Sequence, residues 1–129
     1  MNPRVSVLMP AYNSGKYIGE AIESILNQTF KDFELIIIDD CSTEGTWDII
    51  QMYARKDPRI ISAKNEKNLG IAGNRNKSVG LAIGKYIAWQ DADDISLPTR
   101  IQKQFEFMEA HPKVGMVGGW LQFFSDDGK

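Results

Sequence analysis

Apolar residues in this chain fall into short runs that alternate with longer amphipathic stretches, and the alternation predicts the fold. The run Val5-Ser-Val-Leu-Met9 is rich in β-branched side chains and stops at Pro10, as a buried strand would. After the polar turn Asn13-Ser14-Gly15, apolar side chains recur at Tyr17, Ile18, Ala21, Ile22, Ile25 and Leu26, which is one face of a helix. Phe33 to Ile38 is apolar except at Glu34 and ends abruptly at Asp39-Asp40. Continuous rather than alternating hydrophobicity predicts a strand covered on both faces. Ser42 and Thr43 are candidate N-caps for a second helix carrying Trp47, Ile50, Tyr53 and Ala54. A third strand is expected over Arg59 to Ala63, and a helix over about Ala72 to Ile83, weakened by Gly73 and Gly80. Lys85 to Trp89 reads as a fourth strand. Ser96 then caps a helix with Pro98 in its first turn and Ile101, Phe105 and Met108 on one face. Val114 to Val117 reads as a fifth strand.

The order β-α-β-α-β-α-β-α-β, without a hairpin, is that of an α/β fold: a mostly parallel open sheet with helices on both faces. Residues 1–120 are expected to form one domain of this kind, and 121–129 a polar tail. At 129 residues, 43% hydrophobic and 25% charged, the chain has the size and composition of a single globular domain. Its net charge of -2 and scattered basic residues argue against nucleic acid as the main partner, while leaving room for a small anionic ligand. Cys41 is the only cysteine, so no intrachain disulfide can form. The N-terminus has no signal-peptide pattern, and no apolar run approaches the roughly 20 residues needed to span a bilayer. The expected location is cytoplasmic, with attachment to a membrane surface left open.

Open parallel sheets bind ligands beyond the carboxyl ends of their strands, near a switch in strand order. The strand-end residues here are Pro10, Ala11, Tyr12 and Asn13, then Asp39 and Asp40, then Gln90 to Asp94. Strand-end acids often cap the next helix, and Asp39 and Asp40 can be read so. Three carboxylates within Asp91-Ala92-Asp93-Asp94 are more than a turn and a cap require. Asp-x-Asp at such a point suits a hard divalent cation, Mn²⁺ or Mg²⁺, bridging to a diphosphate. No Gly-x-Gly-x-x-Gly follows the first strand and no P-loop spacing is present, which argues against a dinucleotide cofactor. His111, the single histidine, sits near a helix end beside Pro112, where a surface role is expected.

Five segments, in order, resemble family 2 glycosyltransferases of the GT-A fold. They are Val5 to Asn13, Ala21 to Phe30, Phe33 to Thr46 with its Asp-Asp-x-Ser turn, Asn68-Leu-Gly-Ile-Ala-Gly-Asn-Arg-Asn76, and Gly84 to Asp94. The resemblance implies a Rossmann-like, nucleotide-binding half of such an enzyme, holding a nucleoside-diphosphate sugar, foremost a UDP-sugar. It implies that Ala11 and Tyr12 line the nucleoside, beside Pro10 and Asn13. Asp40, next to Asp39, accepts a hydrogen bond from the base, and Arg75 lies near the base or diphosphate. Asp91, with Ala92, faces ribose or phosphate, and Asp91 and Asp93 form the metal site. The reaction implied is transfer to the hydroxyl of a saccharide or lipid-linked acceptor with inversion. In the family the acceptor-binding half and catalytic base follow later in the chain, so no residue here is assigned that base. Efficient transfer by these residues alone is not expected. The apolar residues around Trp120, Phe123 and Phe124 are expected to favour self-association. The sequence is open to two other readings. One is a nucleotide-sugar-binding module without turnover. The other is a receiver-like signalling domain, which would need acids after the first strand and a lysine after the fifth, where this chain has Pro10-Ala-Tyr-Asn13 and Gly118-Gly119-Trp120.

Overall fold

The computed structural model describes residues 1–126. Its elements run β1 (Val5–Ala11), α1 (Ile18–Leu26), β2 (Phe33–Asp39), α2 (Thr46–Lys56), β3 (Ile60–Lys64), α3 (Gly70–Leu81), β4 (Tyr86–Trp89) and α4 (Arg100–Ala110). The four strands form one parallel sheet in the order β3-β2-β1-β4. Because β2 and β3 lie to one side of β1 and β4 to the other, the strand order reverses beside β1. That is where an open parallel sheet places a ligand crevice.

The register assigns the two faces. Val5, Val7, Met9 and Ala11 of β1 stand opposite Phe33, Leu35, Ile37 and Asp39 of β2. On this face they pack with Ile18, Ala21, Ile22 and Ile25 of α1, Ile50 of α2 and Ile101 of α4 in one continuous core. Phe105 of α4 extends it, its ring 4.7 Å from that of Phe30 and edge-on to Tyr86 at 5.9 Å. On the opposite face Leu8, Ile36 and Ile38 form a smaller cluster with Ala63 and Ala82. The helix on that side is α3, whose buried residues are the polar Asn74 and Ser78. One face of the sheet is thus sealed by hydrocarbon, and the other in part by hydrogen bonds.

The interior placement of Pro10 has a geometric reason. β1 continues past the proline to Ala11, two residues beyond the expected end, although β1 is an inner strand. The Leu8 carbonyl accepts the Gln90 N–H on the β4 side, and the β4 ladder pairs no residue of β1 beyond Leu8. Pro10, two residues on, faces the same side, so its missing N–H falls where no ladder partner stands.

Three expectations are corrected. Val114 to Val117 is not a strand: glycines flank and interrupt it, it is largely exposed, and it joins no ladder of the sheet. Ser42 and Thr43 do not cap α2, which begins after Gly45, and the Ser42 hydroxyl is instead committed to Asp39. Ser96 does not cap α4, which begins after Thr99, leaving Pro98 ahead of the first turn. The Ser96 hydroxyl donates to Gln90 Oε1 at 2.6 Å, a partner no local pattern indicates.

Of the expected tail, residues 127–129 lie outside the described residues. Leu121, Phe123 and Phe124 are exposed, with Trp120 beside them, and Asp126 forms an ion pair with Lys16 and accepts from Tyr17 Oη at 3.3 Å. Among the described residues no helix is long and apolar enough to cross a membrane.

One backbone approach is tight enough to test. Gly84, in the turn into β4, donates its N–H to Ser6 Oγ at 2.8 Å, and a Cβ there would meet the Ser6 nitrogen at 2.6 Å. The obstacle is backbone of an inner strand, which cannot swing aside. Gly84→Ala is therefore expected to destabilise the fold by about 1–3 kcal/mol, the usual cost of overpacking. A urea-unfolding midpoint equal to that of the parent chain would contradict this close approach.

Candidate functional site

The carboxyl ends of β1, β2 and β4 open onto a cavity of about 440 Å³. Its wall includes Pro10 and Ala11 from β1, Tyr12 just beyond it, Asp40 from beyond β2, Arg75 from α3, and Asp91, Ala92 and Asp93 from beyond β4. Eight of the expected residues therefore meet around one space. Asn13 and Asp39 do not line it. Asn13, at φ 47, uses its side-chain oxygen to accept from Thr43 N at 2.9 Å, while its own N–H donates to Ser42 Oγ at 2.9 Å. Asp39 is fully buried, accepts from the Ser42 hydroxyl and amide, and has Lys64 Nζ at 3.9 Å. Asn13 ties the loop after β1 to the loop after β2, and Asp39 holds Ser42 within the latter, so both shape the rim of the cavity from outside it.

Asp40 differs from its neighbour. It is only 3% exposed yet lines the cavity. Its Oδ1 accepts from Leu69 N and Asn65 Nδ2, each at 2.8 Å, and its Oδ2 accepts from Gly70 N at 2.9 Å. Leu69 and Gly70 open α3, and Gly70 has φ +74, a conformation that glycine adopts without steric cost. The carboxylate thus satisfies two of the helix's unpaired N–H groups and sits at the favourable end of its dipole. A carboxylate oxygen can accept about two hydrogen bonds. Oδ1 is filled, and among the described residues Oδ2 keeps one acceptor position open.

The acidic loop after β4 is folded by Gln90, which is 2% exposed. Its Nε2 donates to the carbonyls of Asp91 at 3.2 Å and Asp94 at 2.7 Å, and the Asp94 N–H closes the turn onto Asp91 O at 3.2 Å. Ala92 turns into the core at 5% exposure, leaving Asp91 and Asp93 exposed on either side of it. Arg75 pairs with Asp91, Nη2 to Oδ1 at 3.2 Å, and its guanidinium lies 4.9 Å from the Trp89 ring centroid. Neither Asp93 nor the Asp94 carboxylate makes a hydrogen bond or ion pair among the described residues, and of the two only Asp93 lines the cavity. Burial, then the charges of Asp91 and Asp93, push the Asp94 carboxyl above its ordinary range, partly offset by Arg100. Arg100 in turn donates from both Nη atoms to the Trp89 carbonyl at 3.2 Å, and burial lowers its own pKa.

The donor set is hard oxygen. Among the described residues no group of three or more His, Cys, Asp or Glu is arranged to hold a metal unaided. Two carboxylates at a cavity wall, with ligand oxygens completing the shell, is the usual arrangement for Mg²⁺. The residues present fit such an ion.

Sequence reasoning did not single out Ser14, Asn68, Gly70, Ile71 and Asn74, which also line the cavity. Four of them lie in the Asn68–Asn76 segment, whose only site residue by expectation was Arg75. The signal was present, because a polar helix start facing a strand-end acid has N–H groups to be satisfied.

The parallel sheet, with an Arg–Asp pair and exposed carboxylates at its strand ends, is that of an α/β domain of the GT-A class. The chain belongs to glycosyl transferase family 2, whose family model matches residues 6–129. It is 49% identical over 128 residues to an uncharacterized glycosyltransferase of Methanocaldococcus jannaschii, covering 98% of this chain and 44% of that protein. It is 48% identical over 105 residues to the UDP-Glc:alpha-D-GlcNAc-diphosphoundecaprenol beta-1,3-glucosyltransferase WfaP of Escherichia coli, covering 81% of this chain and 41% of that one. Among solved structures it superposes on S. aureus TarS 1-349 in complex with UDP-GlcNAc. That match has a TM-score of 0.78 and 32% identity, over 87% of this chain and 32% of that one. The mannosyltransferase PcManGT of Pyrobaculum calidifontis, in complex with GDP-Man and Mn2+, matches with a TM-score of 0.79 and 27% identity, over 89% and 34% of the two chains. The chain spans less than half the length of these relatives.

Proposed function

We propose that this chain forms the donor side of an inverting glycosyltransferase and binds a nucleoside-diphosphate sugar, foremost a UDP-sugar, with a divalent cation. The observation that carries the reading is Asp40: a carboxylate at the cavity wall, held by three donors, with one acceptor position open. Such a group recognises a base that presents a ring N–H. Uracil and guanine do so; cytosine and adenine carry a lone pair at the equivalent ring nitrogen. The solved relatives named above are in complex with uridine and guanosine nucleotide sugars, and the E. coli relative is named for UDP-Glc.

Arg75 and Asp91 are assigned to the ribose and diphosphate region. The guanidinium is anchored on Asp91 and beside Trp89, and it supplies positive charge near the leaving group. Asp93, with Asp91, would hold Mn²⁺ or Mg²⁺, which when bound neutralises charge on the diphosphate. In an inverting transfer the acceptor oxygen, losing its proton to a carboxylate base, bonds to the anomeric carbon from the face opposite the diphosphate. The carbon–oxygen bond to the diphosphate breaks with its electron pair. Acceptor deprotonation is assigned to no residue of this chain. The acceptor class is a hydroxyl of a saccharide or a lipid-linked sugar.

The test is calorimetric titration with UDP, GDP, CDP and ADP in the presence of Mn²⁺. UDP should bind about tenfold more tightly than CDP, the scale of one hydrogen bond to a charged group. Equal affinity for UDP and CDP would sink the assignment of Asp40 to the base.

A further inference from the structure

We propose that Asn65 is a positioning residue for Asp40, and that a polar chain running Lys77–Asn65–Asp40, braced by Asn74, presents the open side of the carboxylate to the base. The inference rests on the donor-binding reading above. Asn65 follows β3 and is 4% exposed. Its Nδ2 donates to Asp40 Oδ1 at 2.8 Å and to Asn74 Oδ1 at 3.1 Å, so both amide hydrogens are used. Its Oδ1 accepts from Lys77 Nζ at 2.7 Å, and its backbone N–H donates to the Asp39 carbonyl at 2.8 Å. Asn74 completes the brace by donating from Nδ2 to the Ile38 carbonyl at 3.0 Å.

The two amides have a single self-consistent orientation. An ionised carboxylate only accepts and an ammonium only donates, so Asn65 must turn its nitrogen to Asp40 and its oxygen to Lys77. Asn74 must then turn its oxygen to Asn65, which leaves its nitrogen for the Ile38 carbonyl. Flipping either amide would set donor against donor or acceptor against acceptor in a buried place, where an unmade bond is costly.

The network matters because the terminal torsion of aspartate is soft, and a carboxylate does not fix its own plane. Leu69 and Gly70 grip Asp40 from the α3 side only. Asn65 supplies the third donor, from the end of β3, and so sets the direction in which the free position of Oδ2 points. Neither Asn65 nor Lys77 lines the donor cavity; both border a second cavity of about 640 Å³, together with Lys64 and Lys67. Their influence on the base would therefore pass through Asp40 rather than through contact with the ligand.

The experiment is titration of UDP and CDP, with Mn²⁺, into the parent chain, Asn65→Asp and Lys77→Met, with thermal unfolding of each. Asn65→Asp removes both amide donors at nearly constant shape, while Lys77→Met cuts the chain at an exposed residue. In Asn65→Asp, UDP affinity should fall by about tenfold, one hydrogen bond to a charged group, while CDP affinity changes little, so that the preference collapses. Lys77→Met should narrow the preference in the same direction by a smaller factor. Equal loss of UDP and CDP affinity, or a preference intact in both variants, overturns the positioning role while leaving the base contact standing. A parent chain that does not prefer UDP overturns the base contact, and this inference falls with it. Where Asn65→Asp fails to fold, Lys77→Met decides: a preference equal to the parent's overturns the proposal.

Discussion

Asp40→Asn is expected to weaken UDP binding by roughly ten- to a hundredfold, the range spanned by one hydrogen bond to a charged acceptor, while Asp39→Asn leaves most of the affinity in place. Asparagine at position 40 keeps one acceptor oxygen but sets an NH₂ group against Gly70 N–H or against the Asn65 amide, donor facing donor. With the nitrogen at the Oδ2 position the open acceptor is lost, and with it at the Oδ1 position the Leu69 and Asn65 donors are opposed; the charge is gone in either case. Asp39 bonds instead to Ser42 at the base of the neighbouring loop and is 0% exposed. Losing its charge should lower stability by about 1–3 kcal/mol, the cost of disturbing a buried polar group, and shift the unfolding midpoint more than the binding curve. Calorimetry with UDP and thermal unfolding, run on both variants, separate the two effects. Equal losses of affinity would mean that the pair acts only as loop and helix caps, which is the plainer role open to strand-end acids.

The contrast between these two adjacent aspartates marks how far a linear reading reaches. The apolar runs Val5 to Met9 and Phe33 to Ile38 define their strands without help, because a strand buried on both faces has little choice but continuous hydrocarbon. The helix from Ile18 to Leu26 is legible for a similar reason, since its four buried residues share one face. Knowing that ligands gather at strand ends then picks out Tyr12, Asp40, Asp91 and Asp93, and the family resemblance adds Arg75; all five line one cavity. Which carboxylate of the Asp39-Asp40 pair faces that cavity is a different kind of fact. It depends on Asn65, Leu69 and Gly70, which lie 25 to 30 residues away in sequence.

The remaining misreadings share that origin. Ser42 and Ser96 carry cap-like chemistry, but each hydroxyl has a better partner brought in by the fold, Asp39 and Gln90 respectively. α3 lacks an apolar stripe because it meets the sheet through Asn74 and Ser78, and periodicity cannot see a helix that packs through hydrogen bonds. The run Val114 to Val117 has strand composition without a neighbouring strand to pair with, and composition alone does not supply a ladder.

The proposed metal site yields the second large effect. Adding Mn²⁺ or Mg²⁺ should raise UDP affinity by at least about tenfold, since the cation adds one or more charge-assisted contacts to the diphosphate. Asp93→Asn should abolish that gain and leave the fold intact. The choice of Asp93 over Asp91 comes from their partners. Asp91 already holds Arg75 at 3.2 Å, so replacing it disturbs a cation assigned to the ligand as well as a metal contact. Asp93 holds nothing among the described residues and stands exposed beside buried Ala92. Its replacement would remove the proposed metal contact without breaking a hydrogen bond or ion pair. The expected signature is therefore two titration curves that differ in the parent chain and coincide in Asp93→Asn, at the parent's metal-free affinity. Asp91→Asn should lower affinity with and without metal, because Arg75 loses its anchor. A parent chain whose UDP affinity is the same in Mn²⁺ and in chelator would remove the metal from this site. A variant at Asp93 that keeps the full gain would move the metal to other ligands.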